Sequence, residues 1–190
     1  DYAGSLQLAV AGSVTGTPLI TAGPVTVGGT AEFALTRRTI DVDSDGNGTA
    51  DLLGATLDGI ALGVTNASVV VTGVATVTVS GELGLARVTA SGETTARYTA
   101  LKMGNVTVSA STASAGDFGL SGTLTIDSLN INNAAVGHAR LDWAKAFDLD
   151  GNGTKDILDP GAALPTPATL AIDYAGSLQL AVAGSVTGTP

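Results

Sequence analysis

The chain has 190 residues, no cysteine, only 4% aromatic residues and a formal net charge of −9. Its eight basic residues are scattered from Arg37 to Lys155, which leaves no basic face for phosphates and argues against nucleic acid or an anionic membrane surface as a partner. Stability without disulfides must come from size, metal or neighbouring units, and no apolar run is long enough for a membrane-spanning helix, so no membrane insertion is expected.

The first predicted element is a strand in DYAGSLQLAVAGSVTGTP, residues 1–18, where Leu6, Leu8 and Val10 alternate with Gln7 and Ala9. The same period of two recurs in Val69–Val71 with Val77 and Val79, in Val106 and Val108, and in Leu120, Leu124 and Ile126. These runs are rich in β-branched Val, Thr and Ile, and Gly, Asn or Pro interrupts them about every ten residues, as short strands require. No stretch of about a dozen residues keeps a helical apolar period. The nearest, Ala134–Ala146, carries Gly137 and reads better as a strand. An all-β, antiparallel fold follows, a β-sandwich of Ig-like or related type; two smaller β lobes or a β-solenoid are the alternatives.

Asp159-Pro160-Gly161 and Pro165-Thr166-Pro167 form the Pro-dense stretch of the chain. Proline donates nothing to a sheet ladder, so residues 159–167 are expected to be a stiff linker or an edge crossing. Beyond it, residues 173–190 repeat residues 1–18 letter for letter, an offset of 172. Eighteen identities point to a tandem array in which 1–172 is one full repeat and 173–190 the first strand of the next. That second copy is placed to complete the domain ahead of it, and neighbouring repeats of the same chain are the expected partners.

Seven of the 17 acidic residues fall in two stretches, DVDSDGNGTADLL (41–53) and FDLDGNGTKDIL (147–158). Aligned on DGNGT, they share the pattern D-x-D-G-N-G-T-x-D-(L/I)-L. The first places Asp43, Asp45, Asn47, Thr49 and Asp51 at alternate positions, with Asp41 just ahead. The second places Asp148, Asp150, Asn152, Thr154 and Asp156 there. Oxygen ligands on every second residue of a tight loop suit a hard cation, and Ca²⁺ takes six to eight oxygens. The glycines allow the coiling, and the threonine position would offer its carbonyl. Three carboxylates repel one another on a closed loop unless a cation is present. Flanking helices and a Glu at position 12 are both missing, so the loops are not EF-hands. Two calcium-binding loops are expected.

Other residues carry less. His138 stands without a G-x-S-x-G serine, so no catalytic triad and no enzymatic activity are expected; it reads as a surface residue on a strand. Trp143 and Phe147 lead into the second acidic loop and read as core, with a sugar platform as the rival reading. Asn47, Asn66, Asn105 and Asn152 each begin an N-x-S/T triplet, a cheap match in so Thr- and Ser-rich a chain.

The acidic, cysteine-free composition, the tandem period and the two DGNG loops together resemble the extender repeats of giant repeats-in-toxin (RTX) adhesins of Gram-negative bacteria. The resemblance implies an extracellular, cell-surface location and a role in adhesion and biofilm formation. The repeat would then be a spacer that Ca²⁺ stiffens to project a distal binding domain of unknown ligand. The alternative is a calcium-dependent carbohydrate- or protein-binding module. Blades of a calcium-binding β-propeller should be evenly spaced, whereas the two loops lie 105 residues apart in a 172-residue period.

Overall fold

The computed structural model describes residues 6–72, 75–112 and 121–189. Among the described residues, strand-forming sequence becomes seven strands: β1 (Leu6–Ala22), β2 (Val25–Val42), β3 (Leu52–Val71), β4 (Ala75–Thr89), β5 (Tyr98–Thr112), β6 (Ser121–Ala134) and β7 (Leu180–Thr189). They form one antiparallel sheet in chain order, β1 to β7, each strand paired with the next. The only helical turn among the described residues is a 3₁₀ turn, Pro160–Ala163. The chain is therefore all-β and antiparallel, as its alternation predicts. Residues 1–5, Leu120 and Pro190, which belong to the sequence expectations above, lie outside the described residues.

The strands are longer than the sequence suggested, up to 20 residues in β3. Many of the expected interruptions are bulges inside strands and not turns between them. Register shifts fall at Gly28/Thr30 on β2, Val64/Ala67 on β3, Ser80/Glu82 on β4 and Ile126/Ser128 on β6, and together they cross the sheet as a belt. Glycine or asparagine takes the left-handed backbone there: Gly29 (φ 126°), Gly81 (φ 149°), Asn66 (φ 51°) and Asn105 (φ 53°). Asn66 N donates to Ser80 Oγ at 2.9 Å, and Asn105 Nδ2 to Glu82 Oε2 at 3.3 Å. Side chains thus replace part of the ladder that the bulges break.

The two faces of the sheet differ in side-chain size. One face carries small residues in register: Ala34, Ala61 and Gly84 in one row, Gly59, Ala86 and Ala100 in the next. Large side chains of the non-strand segment 135–179 settle onto this floor. Trp143, Phe147, Leu141 and Ile172 are fully buried against Leu57, Val88 and Tyr98. Leu164 and Leu170 cover Ala34 and Ala61 in a second cluster. A Cβ on Gly84 would stand 3.2 Å from that of Leu170, so small residues here set how closely the covering segment approaches. The unit has two layers, and the second is ordered loop laid over sheet.

Segment 135–146, expected as a strand, is turn and loop instead. His138 N donates to Ala135 O at 3.1 Å, Lys145 N to Asp142 O at 3.1 Å, and Gly137 has φ 91°. Burial drove the outcome: Leu141, Trp143, Ala146 and Phe147 all face the sheet, a spacing no straight strand can deliver. The buried Asn132 side chain serves the backbone here, donating to Leu141 O (2.9 Å) and Ala175 O (3.3 Å) and accepting from Trp143 Nε1 (3.0 Å). His138 accordingly lies exposed in a turn, edge-on to Tyr98.

Residues 159–167 lie on the sheet. Asp159 caps the 3₁₀ turn by accepting from Gly161 N (3.0 Å) and also from Leu170 N (3.0 Å). Thr166 donates from its amide and hydroxyl to Glu32 of β2, at 3.0 and 2.9 Å.

Candidate metal centre

Both acidic loops fold by one scheme. In the first, between β2 and β3, the Asp43 carboxylate accepts from the amides of Gly46, Asn47 and Gly48 at 2.8, 3.1 and 2.8 Å. In the second, Asp148 accepts from Gly151, Asn152 and Gly153 at 2.7, 3.1 and 2.8 Å. Asp45 and Asp150 each hold the following asparagine by its amide and side chain. Asn47 and Asn152 accept in turn from the amides of Thr49 and Thr154 at 2.8 and 2.7 Å; the Thr154 hydroxyl also donates to Asn152. The glycines explain the coil: Gly46, Gly48, Gly151 and Gly153 have φ of 74°, 94°, 75° and 85°.

The closing aspartates differ. Asp51 accepts from Ser44 twice, from the amide and from the hydroxyl, both at 2.7 Å. These two bonds hold its carboxyl below the usual carboxylate range. Leu149 stands where Ser44 stands, and its amide donates to Asp156 at 2.6 Å without a hydroxyl to follow. In this second loop, carboxylate oxygens of Asp148, Asp150 and Asp156 gather within 4.8 Å of one another. Amide donation, chiefly from Gly153, holds the Asp148 carboxyl low as well. What ranks the loops is the bond that the Ser44 hydroxyl makes to Asp51 and that Leu149 cannot make to Asp156. Asp41 sits outside the coil and accepts from Gly54 N at 2.7 Å, across the neck of the hairpin.

The loops are neighbours despite their separation in sequence. Asp43 N donates to Ala146 O at 3.0 Å, just ahead of the second loop. Lys155 Nζ, from within the second loop, lies 3.8 Å from the Asp43 carboxylate, which is only 2% exposed as a residue. That partner across the loops was not visible in the sequence, because nothing in it places 155 beside 43. Trp143, fully buried beneath the second loop with its ring 5.5 Å from that of Phe147, offers no open face to a sugar.

Chemically, the second loop can present three carboxylates and an amide oxygen to one hard cation, and both loops are shaped by backbone amides before any ion binds. Set against known proteins, the chain matches no family model, no curated protein and no solved structure.

Proposed function

We propose that this chain is a structural spacer repeat of a secreted bacterial surface adhesin, stiffened by Ca²⁺ bound in the loops 43–51 and 148–156. The observation that carries the reading is the gathering of Asp148, Asp150 and Asp156 within 4.8 Å on a loop whose twin repeats its hydrogen-bond scheme. Extracellular Ca²⁺ sites work at dissociation constants of about 10⁻⁴–10⁻³ M, so such loops would fill after export. Both loops are anchored to the core, the first through Val42 and the second through Phe147, which are fully buried. Occupancy would therefore stiffen the end of the sheet that the covering segment closes, and binding would add to folding stability. The letter-for-letter recurrence of residues 1–18 at 173–190 supports a tandem arrangement, in which length is the useful property.

Calorimetric titration with Ca²⁺ tests the metal reading. Two sites of unequal affinity are expected, with Asp150→Ala removing the tighter and Asp45→Ala the weaker; no heat of binding up to ~10 mM Ca²⁺, ten times the weakest constant expected, overturns it. The array reading is tested by the parent gene, which should hold further copies at the 172-residue period near an export signal.

A further inference from the structure

Residues 8–17 of the segment that occurs twice lie in β1, and their copies 180–189 form β7, at the two opposite edges of the sheet. Val10 corresponds to Val182, Val14 to Val186 and Thr15 to Thr187. Val14 is paired with Ala31 of β2, whereas Val186 is paired with Leu124 of β6. One sequence thus has two partner strands, one in each copy.

Backbone edges and side-chain faces decide whether a single strand can hold both partners. Successive carbonyls of a strand point to opposite edges. The Thr187 carbonyl oxygen is turned to β6, 3.6 Å from where a Cβ would stand on Gly122. The Gly16 carbonyl, one position further on in the shared sequence, is turned to β2, 3.2 Å from the same point on Gly28. The segment therefore spends alternate carbonyls on its two partners and leaves each set free for the other.

The faces agree as well. Val182 stands in one row with Leu129, Met103, Leu83, Leu62 and Phe33, on the face away from Trp143. Its counterpart Val10 pairs with Leu35, two residues from Phe33 and so on the same face. Neither partner would require the strand to turn over.

From these two agreements we propose that successive units share this strand. The β7 of one unit is the β1 of the next, its outer edge is taken by the next unit's β2, and one sheet runs unbroken with six strands per 172-residue period. The occupant of the free β7 edge is thus a second copy of this chain, and the proposal rests on the array reading above. Each unit would lengthen the spacer sideways through the sheet, by about 29 Å for six strand spacings of about 4.8 Å.

The test uses the full chain extended by one further period, with two cysteine pairs in a background that has none. Leu124→Cys with Val186→Cys reports the β6 side of the junction strand, and Val182→Cys with Leu35→Cys of the second unit reports the β2 side. Paired strands bring such Cα atoms within disulfide range, about 4.4–6.8 Å. In the 190-residue chain, Leu124→Cys/Val186→Cys and Val10→Cys/Leu35→Cys should each form a bridge, and failure of either overturns the pairing on which sharing rests. Sharing predicts both junction bridges in the same molecule, by peptide mapping, and a maximum dimension in X-ray scattering that grows by only about 15 Å, because the sheet widens by about 29 Å across strands that are themselves about 66 Å long. Bridges that exclude each other, or growth by about a full strand length (~66 Å for a 20-residue strand), overturn it. Because the two periods are joined deliberately, failure here condemns strand sharing alone, whereas a parent gene with a single period condemns the array.

Discussion

Ser44 and Leu149 occupy the same place in the two acidic loops, and the hydroxyl that only one of them carries sets the loops apart. In the first loop a cation must displace Ser44 from Asp51 and Lys155 from Asp43; in the second it meets three carboxylates already gathered. Lys155→Ala should therefore tighten the weaker Ca²⁺ site by at least about twofold in a calorimetric titration, because the cation then no longer competes with an ammonium for the buried Asp43 carboxylate. A looser weak site would contradict this placement of the charge. Tyr174 is the second residue with a legible consequence. Its hydroxyl donates to Leu101 O at 3.0 Å and lies 3.1 Å from Asn130 Oδ1, and burial, with Asp173 nearby, pushes its pKa far above the usual tyrosine value. A group whose pKa is raised on folding stabilises fully below its unfolded value and less as pH climbs past it. Stability should therefore decline above about pH 10, and Tyr174→Phe should flatten that decline while costing about 1 kcal/mol at neutral pH by denaturant unfolding.

At the level of elements, glycine and asparagine have two uses in this chain that look alike as letters. Gly46 and Gly151 coil a loop, whereas Gly29 and Gly81 sit mid-strand in bulges. Alternation exposed the strands, but it could not tell a bulge from a turn, because both read as an apolar period broken by Gly or Asn. The difference is sterically testable. A Cβ on Gly81 would come within 2.7 Å of the Val106 Cα, while one on Gly46 meets nothing within 4 Å. Gly81→Ala should cost more than about 2 kcal/mol, and Gly46→Ala nearer 1, when both are unfolded in urea with EDTA present. The covering segment was least legible, since residues 135–179 gain their conformation from the Ala- and Gly-lined floor beneath them and not from local periodicity. The coiling of the acidic loops, by contrast, was readable, because it depends chiefly on nearby Asp, Asn and Gly, though the place of Asp41 outside the coil was not. Trp143→Ala, which empties the centre of that layer, should cost about 3–5 kcal/mol.

For the whole molecule, the two copies of the repeated segment are unequal members of one unit. Among the residues whose burial is described, none of the buried hydrophobic ones belongs to β1, while the C-terminal copy contributes Tyr174 to the core and Gln179 O as acceptor of a hydrogen bond from the Asn132 amide. A chain beginning at residue 19 should keep its cooperative unfolding, and a chain ending at residue 172 should lose it, by circular dichroism in urea. The period was plain in the sequence, and so was the expectation that the C-terminal copy completes the unit ahead of it; the long-range contacts from Tyr174 to Leu101 and Asn130 that tie it in were not. On this arrangement the acidic loops, the covering layer and the closing strand form one cooperative body, so a cation filling the loops should stabilise all of it.

Thermal unfolding in 10 mM Ca²⁺ and in EDTA, for the natural chain and for Asp45→Ala/Asp150→Ala, tests that coupling most directly. At roughly 100 times a dissociation constant, one filled site adds about 2.7 kcal/mol, or about 5–11 °C in a chain of this size. The natural chain is predicted to melt at least about 5 °C higher in Ca²⁺, while the double variant melts at the same temperature in both solutions. If the natural chain melts at one temperature with and without Ca²⁺, the calcium-stiffened spacer is contradicted.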